Sequence, residues 1–199
     1  MSSRAVHGSD KEATMTTRRP KIAIYFASHD GQTGKIVGRI AEHLASQGID
    51  ASLTDISFGT IPAVDMKADL VLLAAAIRYG VHLRAARQFL KRLRTELSDE
   101  HIAVISVNLT ARKLGRQTAE GNVYLRNWLK RTGLQPAMAA AVAGRLDYPA
   151  YRWFDRMMIQ TIMKISGGPT DRNTVVEYTD WSQVEKCATA LAALVKPAL

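Results

Sequence analysis

Five short runs with the composition of β-strands alternate along the chain with segments of helical periodicity. The strand-like runs occupy residues 21–27, 50–55, 68–77, 101–108 and 137–144. Helical patterns follow at 33–47, 83–97, about 119–132 and 181–195. Runs such as "KIAIYFA" and "ADLVLLAAAI" show no polar alternation, which is typical of strands buried on both faces. The alternation therefore predicts an α/β fold, with a parallel sheet covered by helices on both faces.

One segment interrupts this alternation. Residues 145–178 are too long for a simple connection between the fifth strand and the last helix, so they are predicted to be an insertion. The stretch "YPAYRWFDRMMIQTIMKISGG" within it combines apolar, methionine and basic side chains at helical spacing. Such a helix suits a membrane interface or a large flat apolar substrate, and the same pattern is typical of a helix packed in a core. Both interpretations are open at this point.

The length of 199 residues suits one domain, predicted at 20–199, whose core needs no disulfide. Residues 1–19 contain no apolar run that could serve as a signal-peptide core and are predicted to be a disordered tail. No stretch of about 18 consecutive apolar residues occurs, so no membrane span is expected. The single cysteine, Cys187, falls in the apolar pattern of the last helix and is predicted to be a core thiol.

The charge balance predicts an anionic partner. The chain has 27 lysine and arginine residues against 18 aspartate and glutamate residues, a net charge of +9. The predicted helix 83–97 carries five basic residues and Glu96 as its one acid. Such a helix can attract the headgroups of an anionic membrane surface, and it can equally be an ordinary solvated face. No nucleic-acid-binding motif is present, so nucleic acid is not expected as a partner.

The loop "ASHDGQTGK", residues 27–35, joins the first predicted strand to the first helix. It fits neither the nucleoside-triphosphate pattern GxxxxGK[ST] nor the dinucleotide pattern GxGxxG, because its glycines have a different spacing. It does place two hydroxyl side chains, Ser28 and Thr33, at the start of a helix, where free backbone N–H groups bind anions. The loop predicts a site for a phosphate monoester, and the alternative is an ordinary turn in which Thr33 caps the helix.

This loop resembles the phosphate loop of the flavodoxin-like fold, although Asp30 and Gln32 depart from the commonest flavodoxin form, Ser/Thr-x-Thr-Gly-x-Thr. Together with four later blocks it is similar to the flavodoxin-like, quinone-dependent protoporphyrinogen IX dehydrogenase family of bacterial haem synthesis. The blocks are "AAIRYGVH" (75–82), "SVNLTARK" (106–113), "AGRLDYPAYRWFDRMMIQTIMKISGG" (143–168) and "YTDW" (178–181). The likeness covers about residues 21–195 in the same order.

The resemblance implies a three-layer sandwich with a five-stranded parallel sheet, and an FMN cofactor. It implies the six-electron oxidation of protoporphyrinogen IX to protoporphyrin IX, with electrons passed to a membrane quinone, menaquinone or ubiquinone. It also implies a cytoplasmic protein attached peripherally to the cytoplasmic membrane, and it leaves a homo-oligomer open. Two alternatives remain, a flavodoxin-type electron carrier and an NAD(P)H-dependent quinone reductase. The net charge weighs against the carrier, because electron-carrier flavodoxins are typically acidic.

The resemblance also implies which residues bind the cofactor, in four loops at the carboxyl ends of the strands. They are Ser28, His29, Asp30, Gly31, Gln32 and Thr33, then Ala76, Ile77, Arg78, Tyr79 and Gly80, then Ser106, Asn108, Leu109 and Thr110, and finally Gly144, Leu146 and Tyr148. The candidates for binding the substrate are four basic residues, Arg78, Arg112, Lys113 and Arg145.

Arg78 is the first of these candidates, because it can place positive charge near the flavin or a substrate carboxylate. The alternative is one more solvated surface arginine. No general acid or base is identified, since His29 and His82 are interpreted as loop residues. No metal site is predicted.

Overall fold

The computed structural model describes residues 18–151, 153–165 and 167–196. The predicted tail therefore lies outside the described residues except for Arg18 and Arg19. The strands are β1 (Lys21–Ala27), β2 (Asp50–Asp55), β3 (Leu70–Arg78), β4 (Val81–His82), β5 (Ile102–Val107), β6 (Met138–Val142), β7 (Arg145–Asp147) and β8 (Val175–Glu177). The helices are α1 (Gln32–Ser46), α2 (Arg84–Glu96), α3 (Val123–Thr132), α4 (Trp153–Ile165) and α5 (Trp181–Val195).

Five parallel strands form the central sheet in the order β2-β1-β3-β5-β6, which confirms the predicted α/β architecture. The chain leaves β1 for β2 on one side and then crosses to β3 on the other side. The loops that follow β1 and β3 therefore diverge, and they open a crevice at the carboxyl end of the sheet. This crevice is where the fold positions a ligand.

Two apolar layers hold the helices against the sheet. The apolar stripe of α1, with Ile36 and Ile40, packs with α5 on one face of the sheet. Phe89 and Leu93 of α2 pack with α3 on the other face. Cys187 of α5 is buried in the first layer, as predicted, and burial raises the pKa of its thiol to about 11. It is therefore a packed, protonated thiol at neutral pH.

Helix α3 begins at Val123, later than the sequence pattern near residue 119 predicts. Asn122 is the reason, because its side-chain oxygen accepts hydrogen bonds from the backbone N–H groups of Tyr124 and Leu125. A capped end of this kind fixes where a helix starts. The residues before Asn122 form a loop that packs beside β6, where Gln117 O accepts a hydrogen bond from Ala141 N at 2.8 Å.

The predicted insertion is an excursion built from β7, α4 and β8. Strands β7 and β8 pair in an antiparallel ladder, and Tyr178 N donates to Gly144 O at 3.1 Å to close its base. Its side chains form a small core of their own: Leu146, Tyr148, Tyr151 and Met163 are all buried. The insertion thus folds back onto the sheet and brings α4 beside the crevice.

Helix α4 combines both of the alternatives left open by its sequence pattern. Met163 is fully buried, whereas Trp153 is 75% exposed and Met157 45% exposed. The guanidinium of Arg156 is held within the insertion, because it donates hydrogen bonds to the carbonyl oxygens of Tyr148, Pro149 and Tyr151. One side of the helix therefore packs, and the other presents apolar side chains. Nowhere in the described part of the chain is a helix long and apolar enough to cross a membrane.

Candidate active site

A cavity lies in the crevice at the carboxyl ends of β1, β3, β5 and β6, and α4 covers one side of it. All four loops that the resemblance singled out contribute to its wall. The predicted cofactor residues that line it are Ser28, His29, Asp30, Gln32, Thr33, Ala76, Ile77, Arg78, Tyr79, Gly80, Asn108, Leu109, Thr110 and Gly144. Segments more than a hundred residues apart in the chain thus meet in one place.

The N-terminus of α1 lies at this cavity, since Gln32 and Thr33 line it, and the N-cap residue provides no side-chain cap. Gly31 occupies the N-cap position with a positive φ of 79°, a conformation that glycine adopts without strain. The alternative in which Thr33 caps the helix is wrong, because the helix begins at Gln32 and Gly31 occupies the N-cap position. By contrast, Asn122 and Asp180 cap α3 and α5.

The Ser28 side chain presents an unsatisfied polar atom at the same place. Its Oγ is buried and has no hydrogen-bond partner among the described residues. The backbone N–H of Ser28 is already satisfied, since it donates to Ser57 Oγ at 2.8 Å. A buried hydroxyl without a partner costs free energy, so this atom calls for an acceptor or donor from a ligand.

Gln32 ties the first loop to the last strand of the sheet. Its Nε2 donates to Thr179 Oγ1 at 3.0 Å, and Thr179 Oγ1 donates in turn to Ala143 O at 2.8 Å. All three groups are buried, so this chain of hydrogen bonds is protected from water. It fixes the loop after β1 against the loop after β6, and the sequence pattern alone did not indicate this pairing.

A tight hairpin between β3 and β4 forms the second wall of the cavity. Tyr79 and Gly80 are its two central residues, with φ of 52° and 78°. Two-residue hairpins of this hand need a positive φ at both positions, and Asn-Gly is the usual pair. Tyr79 carries that strain and is half exposed at the cavity, with the Arg78 guanidinium 5.1 Å from its ring centre. The hairpin was not predicted, because a tyrosine does not signal a left-handed turn residue.

His29 and Arg78 connect the first two loops. Arg78 Nη1 lies 2.9 Å from His29 Nδ1, and His29 Nε2 lies 3.6 Å from Asp30 Oδ1. Arginine can only donate, so Nδ1 accepts this hydrogen bond and Nε2 faces Asp30. Arg78 is therefore held in place by His29 and Tyr79, which differs from the solvated arginine considered as the alternative.

A buried polar network supports the third loop. Asn108 Nδ2 donates to Ser106 Oγ at 3.0 Å, and Ser106 Oγ lies 2.9 Å from His82 Nε2. Asn122 Nδ2 donates to Asn108 Oδ1 at 3.1 Å. The resemblance implied that Ser106 binds the cofactor, but Ser106 does not line the cavity. Its hydroxyl is instead hydrogen-bonded within this buried network. The network holds Asn108 and the short 3₁₀ helix Leu109–Arg112 at the cavity edge.

His82 stacks on Trp128 with ring centres 3.9 Å apart, and it is 3% exposed. Burial, assisted by the charge of Arg87, lowers the pKa of His82 to about 3. The imidazole is therefore neutral at physiological pH and cannot act as a general acid there, which agrees with its interpretation as a loop residue.

This pKa shift makes stability depend on pH in a defined direction. Between pH 6.5, the ordinary value, and about 3, unfolded chains bind a proton at His82 that the folded protein excludes. The contribution of the neutral, buried His82 to stability is fully present above pH 6.5. As the pH falls below 6.5, we expect the free energy of unfolding to decrease by up to about 1.4 kcal/mol per pH unit. Urea unfolding of wild type and His82→Gln at several pH values measures this slope. The free energy of unfolding should depend less steeply on pH in His82→Gln than in wild type. The control His101→Gln, at an exposed site, should keep the wild-type pH dependence. Equal pH dependence in His82→Gln and wild type would contradict the lowered pKa of His82.

Besides Ser106, five residues that were predicted to bind the cofactor or the substrate do not line the cavity. Leu146 and Tyr148 are fully buried in the core of the insertion, where Tyr148 Oη donates to Pro169 O at 2.9 Å. Gly31, Arg112 and Lys113 do not line the cavity either. Arg112 donates to Leu109 O at 2.8 Å, and its guanidinium lies 5.5 Å from the ring centre of Tyr178.

Of the four basic candidates, Arg78 and Arg145 line the cavity, and Arg145 forms a salt bridge of 2.7 Å with Asp147. The cavity wall also contains residues that were not among the cofactor and substrate candidates, contributed by α3, α4, the end of β5 and the turn before α4. They are Val107, Tyr124, Tyr151, Met158, Ile159 and Ile162. The methionine-rich pattern of α4 was the available signal for three of them, but it did not tell which side faces the site.

Comparison with known proteins places the chain in a family. Residues 23–173 match the family model for the flavodoxin domain. The chain is 41% identical over 180 residues to "Protoporphyrinogen IX dehydrogenase [quinone]" of Escherichia coli strain K12, covering 90% of this chain and 99% of that protein. It is 40% identical over 181 residues to the Leishmania major protein of the same name, covering 90% of this chain and 78% of that protein.

Solved structures support the fold alone. The oxidised flavodoxin 1 of Bacillus cereus matches with a TM-score of 0.50 and 14% identity, over 90% of this chain and 99% of that one. A short-chain flavodoxin associated with a PDU bacterial microcompartment matches with a TM-score of 0.51 and 12% identity, over 89% and 99%. A parallel sheet in this order with a cavity at its carboxyl edge thus defines a protein of the flavodoxin class. Within that class, the chain belongs to the family of the proteins named protoporphyrinogen IX dehydrogenase [quinone].

Proposed function

We propose that this chain binds FMN in the cavity and oxidises protoporphyrinogen IX to protoporphyrin IX, with a quinone as the electron acceptor. The observation that carries the proposal is the buried, unpartnered Oγ of Ser28 beside the uncapped N-terminus of α1. Together these supply a hydroxyl and free N–H groups to a phosphate monoester, which fits the phosphate of FMN and needs no basic side chain. The names of the curated relatives supply the substrate and the acceptor.

When bound, FMN supplies the redox chemistry by accepting electron pairs from the substrate and passing them on. The chain supplies position and environment. Ser28 and Thr33 would hold the phosphate. The hairpin at Tyr79 and the loop at Asn108 and Leu109 line the cavity from two further sides, where they would border the ring system.

The residues of α4 at the cavity are apolar, since Met158, Ile159 and Ile162 form that part of the wall. They would exclude water from the reacting atoms and contact an apolar macrocycle or quinone ring. Tyr151, also in the wall, donates its hydroxyl to Arg145 O at 3.4 Å, and burial raises its pKa to about 12, so it stays protonated. Arg78 and Arg145 would place positive charge at the edge of the site, near the flavin.

The exposed apolar side of α4 supports a quinone that resides in a membrane. Trp153 and Met157 are exposed on the same helix that contributes Met158 and Ile162 to the cavity. A helix of this kind can lie at the lipid surface and admit an apolar acceptor to the site. Peripheral attachment to the cytoplasmic membrane is therefore part of the proposal.

Anaerobic spectroscopy of the FMN-loaded protein tests the proposal. We expect protoporphyrinogen IX to bleach the flavin absorption and a quinone to restore it, with protoporphyrin IX formed in proportion to the quinone consumed. Flavin that is reduced rapidly by NADPH and not by protoporphyrinogen IX would indicate an NAD(P)H-dependent quinone reductase. Failure of both donors, with fast electron exchange to a reductase protein, would indicate an electron carrier. Either result would overturn the proposed activity.

A further inference from the structure

A second cavity, which we call the α2–α3 groove, lies between helices α2 and α3. It is lined by Gly80, Val81, His82, Arg84, Arg87, Gln88, Lys91, Tyr124, Asn127, Trp128, Arg131 and Thr132. The lining contains four basic side chains and no acidic one. For the basic helix α2 the sequence pattern left two interpretations open, an anionic membrane surface and a solvated face, and the comparisons assign no role to the groove.

The four basic side chains of the groove lack counterions. Arg84, Arg87, Lys91 and Arg131 are exposed, and no hydrogen bond or salt bridge joins their side chains to any residue that the structure describes. Other arginines of α2 are engaged, since Arg92 pairs with Glu96 at 2.7 Å. The cations of α2 without a partner among the described residues therefore lie at the groove, where they create a positive potential.

The spacing of these cations costs stability in the free protein. Arg84, Arg87 and Lys91 stand three and four residues apart on α2, which places like charges on adjacent turns of one helix face. Arg131 adds a fourth charge from α3 across the groove. An anion bound between the two helices would offset this repulsion and form charge-assisted hydrogen bonds with the guanidinium groups.

The groove adjoins the cavity in the crevice. Gly80 and Tyr124 belong to the walls of both. A Cβ on Gly80 would lie 3.8 Å from Tyr124 Cε1, so the two residues are near neighbours. The stacked rings of His82 and Trp128 form the floor of the groove just beyond this shared wall. A ligand that protrudes from the crevice over Gly80 would therefore reach the groove.

We propose that the α2–α3 groove binds the carboxylate side chains of the tetrapyrrole whose ring system occupies the crevice. This inference rests on the proposed function, which supplies the substrate. Protoporphyrinogen IX carries its two propionates on neighbouring pyrroles, so both carboxylates leave the macrocycle on one side. Guanidinium groups bind carboxylates in paired, planar hydrogen bonds. The groove's concave form and its position beside the crevice favour a small molecule over a flat lipid surface, which carries anionic charge of the same kind.

Binding of the oxidised macrocycle tests the groove without requiring turnover. We expect Arg87→Glu and Lys91→Glu to raise the Kd of the FMN-loaded protein for protoporphyrin IX at least about tenfold each, because each replaces an attractive charge by a repulsive one. Lys130→Glu is the matched control: Lys130 is an exposed cation of α3 that does not line the groove. The dimethyl ester of protoporphyrin IX, which has no carboxylates, should bind wild type and groove variants equally.

Equal Kd values for the diacid in wild type, Arg87→Glu and Lys91→Glu would overturn the groove assignment, whatever the protein's activity. Turnover of protoporphyrinogen IX by wild type decides the proposed function separately. Sedimentation with phosphatidylcholine vesicles, with and without phosphatidylglycerol, distinguishes a lipid ligand. If the groove variants lost binding to the anionic vesicles and retained the diacid affinity, the groove would be a membrane contact and the proposal would be wrong.

Discussion

Removing the hydroxyl groups of Ser28 and Thr33 is expected to raise the Kd for FMN by about 10²- to 10⁴-fold, since each hydrogen bond to a charged group contributes roughly 1.5–3 kcal/mol. The double variant Ser28→Ala with Thr33→Val preserves the shape of the loop. Both side chains line the cavity, and Thr33 is 1% exposed. Equilibrium titration of the apoprotein with FMN, followed by quenching of flavin fluorescence, measures the change.

The stability of the apoprotein separates loss of a ligand contact from damage to the fold. Ser28 Oγ has no partner among the described residues, so Ser28→Ala should leave the free energy of unfolding unchanged or slightly raised without FMN. Ser52→Ala with Thr189→Val is the matched control, because it removes the same two hydroxyls from positions on β2 and α5 outside the cavity. An FMN affinity as high in the loop variant as in this control would contradict the phosphate assignment.

Replacing Asn122 by aspartate is expected to lower the free energy of unfolding by about 3 kcal/mol or more. Asn122 is fully buried, and its Nδ2 donates to Asn108 Oδ1 at 3.1 Å, Thr110 Oγ1 at 3.2 Å and Arg116 O at 3.0 Å. A carboxylate would place oxygen against these acceptors and bury a negative charge. Urea unfolding at neutral pH measures the loss.

The same substitution should weaken FMN binding, because Asn122 holds the loop that carries Asn108 at the cavity edge. The deficit in stability should shrink as the pH falls, since protonation of the introduced carboxyl removes its charge and restores one donor. Asn173→Asp makes the same chemical change at an exposed position of the insertion and should cost less than about 0.5 kcal/mol. A deficit for Asn122→Asp as small as that of Asn173→Asp would show that the network does not hold the loop.

The core strands and the first loop could be predicted because their signals are local. A run such as "LVLLAAAI" can be buried only with both faces covered, and β3 accordingly lies in the middle of the sheet. The loop at 28–33 combines hydroxyls and a glycine directly before a helix, and such a pattern already specifies where an anion would bind. The structure brings this loop to the cavity at the predicted edge.

Other parts of the site depend on contacts between distant segments. Leu146 and Tyr148 follow the last central strand directly, yet they turn into the core of the insertion because α4 and Tyr178 offer apolar partners there. Ser106 is at the end of β5, yet His82 and Asn108 use its hydroxyl. Sequence position predicted the right edge of the sheet for these residues but not the direction of their side chains.

The amino-acid pattern alone was sufficient for the alternation of strands and helices and for the buried thiol of Cys187. It was also enough to predict an insertion and a phosphate site in the first loop, because each prediction depends on periodicity or on neighbouring residues. Strand order, the Tyr79-Gly80 hairpin, the neutral state of His82 and the free cations of the α2–α3 groove became visible in the folded chain. These features depend on which residues meet after the chain has crossed the sheet, and pairing over such separations is set by packing and burial that no short stretch of sequence contains.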